Sequence, residues 1–285
     1  MSHQTVYAIT QGVAEKISKT SWAEVRELKT PPVLYIEADG IWIGSQEKDK
    51  RLEFKWGFIH EGIKRVGNRG HLINPVYFGT SGTSQDLFKQ ISIYLENHYD
   101  LRDILVIANS DGGSGYDSSK FEAILGRYAK FEYCLDAYHV MRQITGKLGF
   151  NKSLQAEVRQ AVKVYDLERV NLLLDTTESL LEDEKQLECL TSLRAYLERH
   201  WEAIRPLSQR GLVVSSGVSV CESRHRYYTN RMKRQGRNWL KRGDENMTTL
   251  LTSLRNKVFK EQYLHNYLDN RFSLEIQSSM RKILK

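Results

Sequence analysis

No apolar run in the 285 residues approaches the roughly 20 needed to cross a bilayer. The first residues, MSHQTVYAIT, have neither the cationic nor the apolar stretch of a secretion signal. Cysteine is scarce. Cys134, Cys189 and Cys221 stand far apart and form neither a disulfide framework nor a CxxC zinc pattern. GxGxxG and GxxxxGK[ST] are both missing, so no standard nucleotide cradle is present. There is no internal repeat and no low-complexity tract. These lacks point to a cytoplasmic protein without membrane partner or small-molecule cofactor.

What the chain has is a balanced composition, 40% hydrophobic and 27% charged, enough for an ordered core. Its net charge of +7 is unevenly placed. Between Glu222 and Gly243 lie Arg224, Arg226, Arg231, Lys233, Arg234, Arg237, Lys241 and Arg242, with Glu222 the one acid. That segment alone holds the whole chain's excess. Such a patch attracts polyanions, nucleic acid first, although a solvated basic face has the same composition.

Residues 1–30 read as a polar helical leader stopped by Pro31-Pro32. VLYIEAD and IWIGS read as two strands with Asp39-Gly40 as a turn signal between them. EFKWGFIHEG alternates, with Phe54, Trp56 and Phe58 on one face. HLINPVYFG is a further strand, and Pro75 assigns it to an edge or a bulge. Leu87, Ile91, Tyr94 and Leu95 recur at helical spacing behind Ser84 as N-cap. DILVIA, 103–108, is a strand covered on both faces, followed by the loop NSDGGSGYD. A helix from about Ser118, the strand FEYCL and a helix opening at Asp136 come next. From 150 to about 210 the chain is all-helical, with a break near Asp175-Thr176-Thr177. GLVVSSGVSV then connects to a helix that starts at Cys221-Glu222.

Asp39 and Asp111 each follow an apolar strand and precede a glycine. Strand ends of α/β sheets gather ligands. If the two strands are adjacent, the carboxylates converge and repel unless a cation lies between them. Mg²⁺ suits such a pair, because it takes oxygen ligands and leaves room for phosphate. A hairpin turn at Asp39-Gly40 is the plainer reading of that dipeptide. DGGSGYDSSKFE also fits a calcium loop at Asp111 and Glu122, but Tyr116 stands where that loop wants glycine. Glu222 is the candidate third acid, with Arg226, Asn230 and Lys233 on its helix face; its position also suits simple complementation of the helix dipole. Asp136 reads equally as a helix cap for a core face of Tyr138, Met141 and Ile144. His139 reads equally as a core histidine. Trp42, Tyr227 and Tyr228 are candidates for base stacking or for the core.

EADG at 37–40, NSDGG at 109–113, CLDAYH at 134–139 and CESRHRYYTNRMKRQGRNW at 221–239 together resemble a DDE transposase. The likeness is to the ISLre-type insertion-sequence group, related to mutator-like transposases, and runs from about residue 30 to 258. It implies an α/β, ribonuclease H-like mixed sheet flanked by helices, with an all-helical insertion before the last catalytic helix. The implied division is a leader at 1–30, a first core part at 31–149, the insertion at 150–215, a last core part at 216–258 and a helical tail at 259–285. Asp39, Asp111 and Glu222 would be catalytic and hold two Mg²⁺ or Mn²⁺ ions. Asp136 and His139 would be accessory. Arg224, Arg226, Arg231, Lys233 and Arg234 would contact DNA. The partners implied are double-stranded DNA, both element ends and target, and further copies of the chain assembled on it. Cutting and joining at phosphorus with two metals is the expected chemistry. A resolvase-like nuclease and a DNA-binding remnant are the alternatives. Such enzymes carry a DNA-binding region ahead of the first catalytic strand, and with only about 30 residues there the chain reads as truncated or as a fragment.

Overall fold

In the computed structural model Val33–Ser45 forms one unbroken strand, β1. The structure describes residues 3–17, 27–48, 50–67, 69–126, 129–212, 214, 221–234 and 236–258. Asp39-Gly40 is therefore neither a turn nor a strand end. Tyr35 to Gly44 pair without interruption, in antiparallel register, with β2 (Arg51–His60). Ten residues of long-range pairing outweigh the local turn preference of the dipeptide.

The rest of the sheet explains why Asp39 is special nonetheless. The strand order is β5-β2-β1-β6-β7, where β5 is Val76–Thr80, β6 is Leu105–Ser110 and β7 is Lys130–Leu135. β2 and β5 run antiparallel to their neighbours, while β6 and β7 run parallel to β1. β6 pairs with β1 only over Val33 to Glu37. A two-residue strand, β8 (Asn238–Trp239), rejoins the same strand at Gly44 and Ser45. The edge of β1 between these partners, residues 38–43, is left open, and Asp39 stands in the gap. Pro75 directly precedes the edge strand β5, which pairs only with β2. His71 and Leu72, the start of the expected HLINPVYFG strand, instead belong to a small hairpin of β3 (Ile63–Val66) and β4 (Arg69–Leu72).

Alternation along β1 divides its residues between two layers. Leu34, Ile36 and Ala38 join Leu87, Ile91 and Leu95 of α2 (Ser84–His98) in one core. Ile41 and Ile43 join Phe54, Trp56 and Phe58, with Tyr228 and Met232 of α8 (Cys221–Met232) and Leu251 of α9 (Lys241–Arg255), in the other. The N-cap of α2 is Thr83, not Ser84, because Thr83 and Asp86 form a reciprocal capping box. α1 (His3–Ile17) packs on α9, where Asn246 donates to Gln11 at 2.6 Å.

A third core is mostly helical, with Leu135 of β7 at its edge. It joins α4 (Ala137–Lys147) to α5 (Lys152–Lys163), α6 (Leu167–Glu178) and α7 (Glu184–Ile204) through Val140, Ile144, Val158, Leu174, Leu193 and Trp201. The break expected at Asp175–Thr177 falls later, after Glu178. Thr176 and Thr177 turn their hydroxyls back to the carbonyls of Leu172 and Leu173, which keeps them helical. Residues 215–220 and 259–285 lie outside the described residues, so the proposed connection and tail are not described. Among the described residues, no helix is long and apolar enough to cross a membrane. The described part is a mixed α/β fold, its mixed sheet flanked by helices.

Candidate active site

The gap in the edge of β1 opens into a cavity of about 940 Å³. Asp39 and Asp111 both line it, one from the middle of β1 and one from the residue just past β6. The parallel pairing of those strands brings the two acids together. Arg226, Lys233 and Arg234 line the same cavity, as does His139.

Each acid is held by its own loop or strand. Asp39 is buried, and its Oδ1 accepts from the Gly40 amide at 2.7 Å. Asp111 is half-buried and accepts from the Gly113 amide at 2.9 Å. Its loop is stitched to Ser110, whose hydroxyl donates to the Tyr116 carbonyl at 2.5 Å and accepts from the Gly112 amide at 3.2 Å. Gly112 has φ +75°, and a Cβ there would meet Leu135 at 2.6 Å. The positive φ is what calls for glycine, and a larger residue would also push the Leu135 side chain aside.

Asp136 is absent from the cavity wall. It is buried as the N-cap of α4, accepting from the amides of Tyr138 and His139 at 2.8 and 3.3 Å. Its own amide donates to the Ser110 carbonyl at 2.7 Å. Asp136 therefore aims α4, and α4 delivers His139, Tyr138 and Arg142 to the cavity. The core face of α4 is Val140 and Ile144, while Tyr138 is half exposed, because the helix packs on α5 and α7 on one side and faces the cavity on the other.

Glu222 and Arg224 fall in the first turns of α8, but their side chains lie outside the described residues. Arg231 is exposed away from the cavity wall, and its carbonyl accepts from Arg237 at 2.6 Å. Tyr228 is fully buried against Phe54 and Trp56 and has no face for a base. Tyr227 lies under the Arg255 guanidinium, 5.0 Å from its ring. Trp42, by contrast, is half exposed on the cavity wall.

Several residues of the site are invisible to motif reading. Glu53 reaches into the space that Gly40 leaves, where a Cβ would come within 2.1 Å of its Oε1. Lys55 pairs with Glu53 at 3.0 Å, and the Tyr116 hydroxyl approaches it at 3.5 Å. Burial, with the Glu53, Asp39 and Asp111 carboxylates, pushes the Tyr116 phenol well above its ordinary range and keeps it a neutral donor. His225 stands 3.6 Å from Asp39, from its Nε2 to Oδ2. Burial, together with Lys233 and His139, pushes its pKa down to about 4, so the ring is neutral near pH 7. One signal for His225 existed: it follows Glu222 by three residues, on the same helical face. Glu53 gave none, since it alternates with apolar residues as any solvent-facing strand residue does.

The described cavity thus has three carboxylates, from Asp39, Glu53 and Asp111, and five cations, from Arg51, Arg142, Arg226, Lys233 and Arg234. Among the described residues, no three His, Cys, Asp or Glu side chains stand close enough to hold a metal between them. Asp39 and Asp111 on one wall still offer the oxygen donors a divalent cation prefers, and Glu222 belongs to α8, one turn before His225.

Fold and site define a mixed α/β protein with a cation-lined cleft at a break in its sheet edge and three carboxylates inside it. Residues 1–262 match an uncharacterised protein family, UPF0236, and the chain belongs to that family. It is 61% identical over 285 residues to the "UPF0236 protein in vanSb 3'region" of Streptococcus gallolyticus, covering 100% of this chain and 63% of that protein. A UPF0236 protein of Caldanaerobacter subterraneus subsp. tengcongensis is 25% identical over 252 residues, covering 88% of this chain and 52% of its own length. The chain therefore spans less than two thirds of either relative.

Proposed function

We propose that the chain carries the active site of a DDE transposase, in which Asp39, Asp111 and Glu222 hold divalent cations for DNA strand cleavage and strand transfer. The observation that carries this reading is the meeting of Asp39 and Asp111 in one cavity whose rim is cationic. Three further features support a ribonuclease H-like assignment. Three antiparallel strands precede two parallel ones, the acids lie on β1 and directly after β6, and a helical unit precedes the helix that bears Glu222.

In this reading Arg226, Lys233 and Arg234 hold phosphates, with Arg51 and Arg142 on the facing walls. Phosphate contacts of this kind position DNA and carry no sequence information. The bound cations would supply Lewis-acid stabilisation of charge at phosphorus and activation of the attacking oxygen. Asp39 and Asp111 are fixed in advance by the Gly40 and Gly113 amides, so little reorganisation is needed on loading. Tyr116, held neutral, keeps a donor directed at Glu53 rather than adding a fourth negative charge. Asp136 acts through α4, and His139 faces the substrate space.

The test is nicking of a labelled duplex in Mg²⁺ or Mn²⁺ by the intact chain and by Asp39→Asn, Asp111→Asn and Glu222→Gln. The expected result is nicking by the intact chain, lost in each variant, with DNA affinity held within about twofold. DNA binding without nicking by the intact chain in either metal would overturn the catalytic reading and favour a binding remnant. Nicking that never yields joined products would restrict it to a nuclease.

A further inference from the structure

We propose that His225 is a nitrogen donor to a cation held at Asp39, and that this donor makes the site prefer Mn²⁺ or Co²⁺ to Mg²⁺. The inference rests on the reading of Asp39 as a cation ligand and adds the ligand that sets the choice of metal.

The distance is the first argument. His225 Nε2 and Asp39 Oδ2 are 3.6 Å apart, too far for a hydrogen bond. Two donors about 2.1 Å from one ion lie about 3.0 Å apart at a right angle and about 3.6 Å apart when the angle opens toward 120°. The separation exceeds that of neighbouring octahedral ligands by about half an ångström, which a small rotation of the ring closes. The second argument is the state of the nitrogen. Nε2 is closed off from solvent and has no hydrogen-bond partner among the described residues. Buried side-chain polar atoms are nearly always satisfied, so this one awaits a partner. With the ring proton on Nδ1, Nε2 is a lone-pair donor, which the Asp39 carboxylate, itself an acceptor, leaves unpaired. A cation between the two gives that nitrogen its partner.

The placement is the third argument. His225 sits on α8, packed beside Trp56 with ring centroids 5.9 Å apart, so its ring is steadied from the sheet side. Asp111 lines the same cavity, and Glu222 lies one turn earlier on the same helix. Mg²⁺ takes oxygen ligands and keeps its waters, whereas a nitrogen donor favours the first-row transition ions, Co²⁺ above Mn²⁺ in the general affinity order.

The experiment uses the intact chain without DNA. Mn²⁺ and Mg²⁺ are titrated calorimetrically into the wild type, His225→Ala, His225→Gln and Asp39→Asn. Electron spin-echo modulation of the bound Mn²⁺ then reads directly whether a ¹⁴N nucleus is coordinated. The expected result is Mn²⁺ bound about tenfold more tightly than Mg²⁺. A ¹⁴N modulation should be present in the wild type and absent from both His225 variants, and the tenfold preference should be lost in both. His225→Gln keeps the site filled, so it decides the matter if the alanine variant does not fold. If the wild type shows no ¹⁴N modulation, or the His225 variants keep the preference while Asp39→Asn abolishes binding, His225 is not a ligand and the reading of Asp39 survives. If Asp39→Asn binds both metals as the wild type does, the underlying reading fails as well.

Discussion

Gly40 and Gly57 lie on neighbouring strands two positions apart in register, yet they differ in what a methyl group would meet. At Gly40 it meets the Glu53 carboxylate at 2.1 Å and the Tyr116 hydroxyl at 3.1 Å, both far ends of side chains. At Gly57 it meets the Glu37 carbonyl at 2.9 Å, which is backbone in the central strand. Gly40→Ala should therefore swing Glu53 out of the cavity at a cost below about 1 kcal/mol, and nicking should fall at least tenfold. Gly57→Ala should cost about 1–3 kcal/mol, as overpacking does. Urea melts of the two variants, set beside nicking rates, check the contrast. Asp244 gives a different residue-scale expectation. Burial raises its pKa from 3.8 to about 6, against the opposing pull of Thr248 and Lys55, with Glu245 adding to the rise. A raised folded pKa means the folded state holds its proton longer. The associated stability is full below about pH 4 and is lost as pH rises through 6. Asp244→Asn should thus stabilise the protein by about 2 kcal/mol at pH 7.5 and leave it unchanged at pH 4, as denaturant melts at the two pH values would show. Asp39 and Asp111 were legible because each interrupts an apolar run. Glu53 was not, since its meaning comes from a missing Cβ in the next strand, and His225 carried only its spacing from Glu222, its partner standing 186 residues away in the chain.

At the scale of elements, the edge strand β5 depends on a side chain that imitates a strand. Asn256, at the end of α9, accepts from the Tyr77 amide and donates to the Tyr77 carbonyl, both at 2.8 Å. Asn256→Ala would leave both backbone groups half-buried and unpaired, and a cost of about 1–3 kcal/mol is expected. Asn256→Asp keeps the acceptor and loses the donor, so its cost should be intermediate. Chemical denaturation of the pair gives the order. The elements were largely legible where the pattern is local. The alternation of Phe54, Trp56 and Phe58, the apolar run of β6 and the helical spacing of Leu87, Ile91 and Leu95 all correspond to described elements. The misreadings share one cause. Asp-Gly in β1 and Asp-Thr-Thr in α6 are local breakers that longer-range bonds override, by the β2 register in one case and by threonine back-bonding in the other. His71 and Leu72 of β4 were joined to β5 in one strand because Pro75 read as an irregularity within it, when it stands at a boundary.

At the scale of the molecule, charge distribution is the feature the sequence displayed best. The cationic run after Glu222 does reach the cavity through Arg226, Lys233 and Arg234, though Arg231 faces away. The structure adds Arg51 from β2 and Arg142 from α4, cations that no run of sequence marks and that only folding assembles. On the proposed reading, five cations around one cleft should make DNA binding steeply salt-dependent. If all five neutralise phosphates, log affinity should fall against log salt with a slope of about −4 to −5. Arg51→Gln combined with Arg142→Gln should lower that slope by about two, since each phosphate contact contributes about one. Both side chains are exposed, so the fold should be unaffected. Arg169→Gln, which removes a cation paired with Glu157 on the helical unit, is the control and should leave the slope unchanged. Fluorescence anisotropy of a labelled duplex from 50 to 300 mM salt, reading about the range over which such contacts are felt, would measure all three. An unchanged slope in the double variant would mean that DNA follows only the α8 side of the cleft. The walls supplied by β2 and α4 would then serve the acids rather than the substrate.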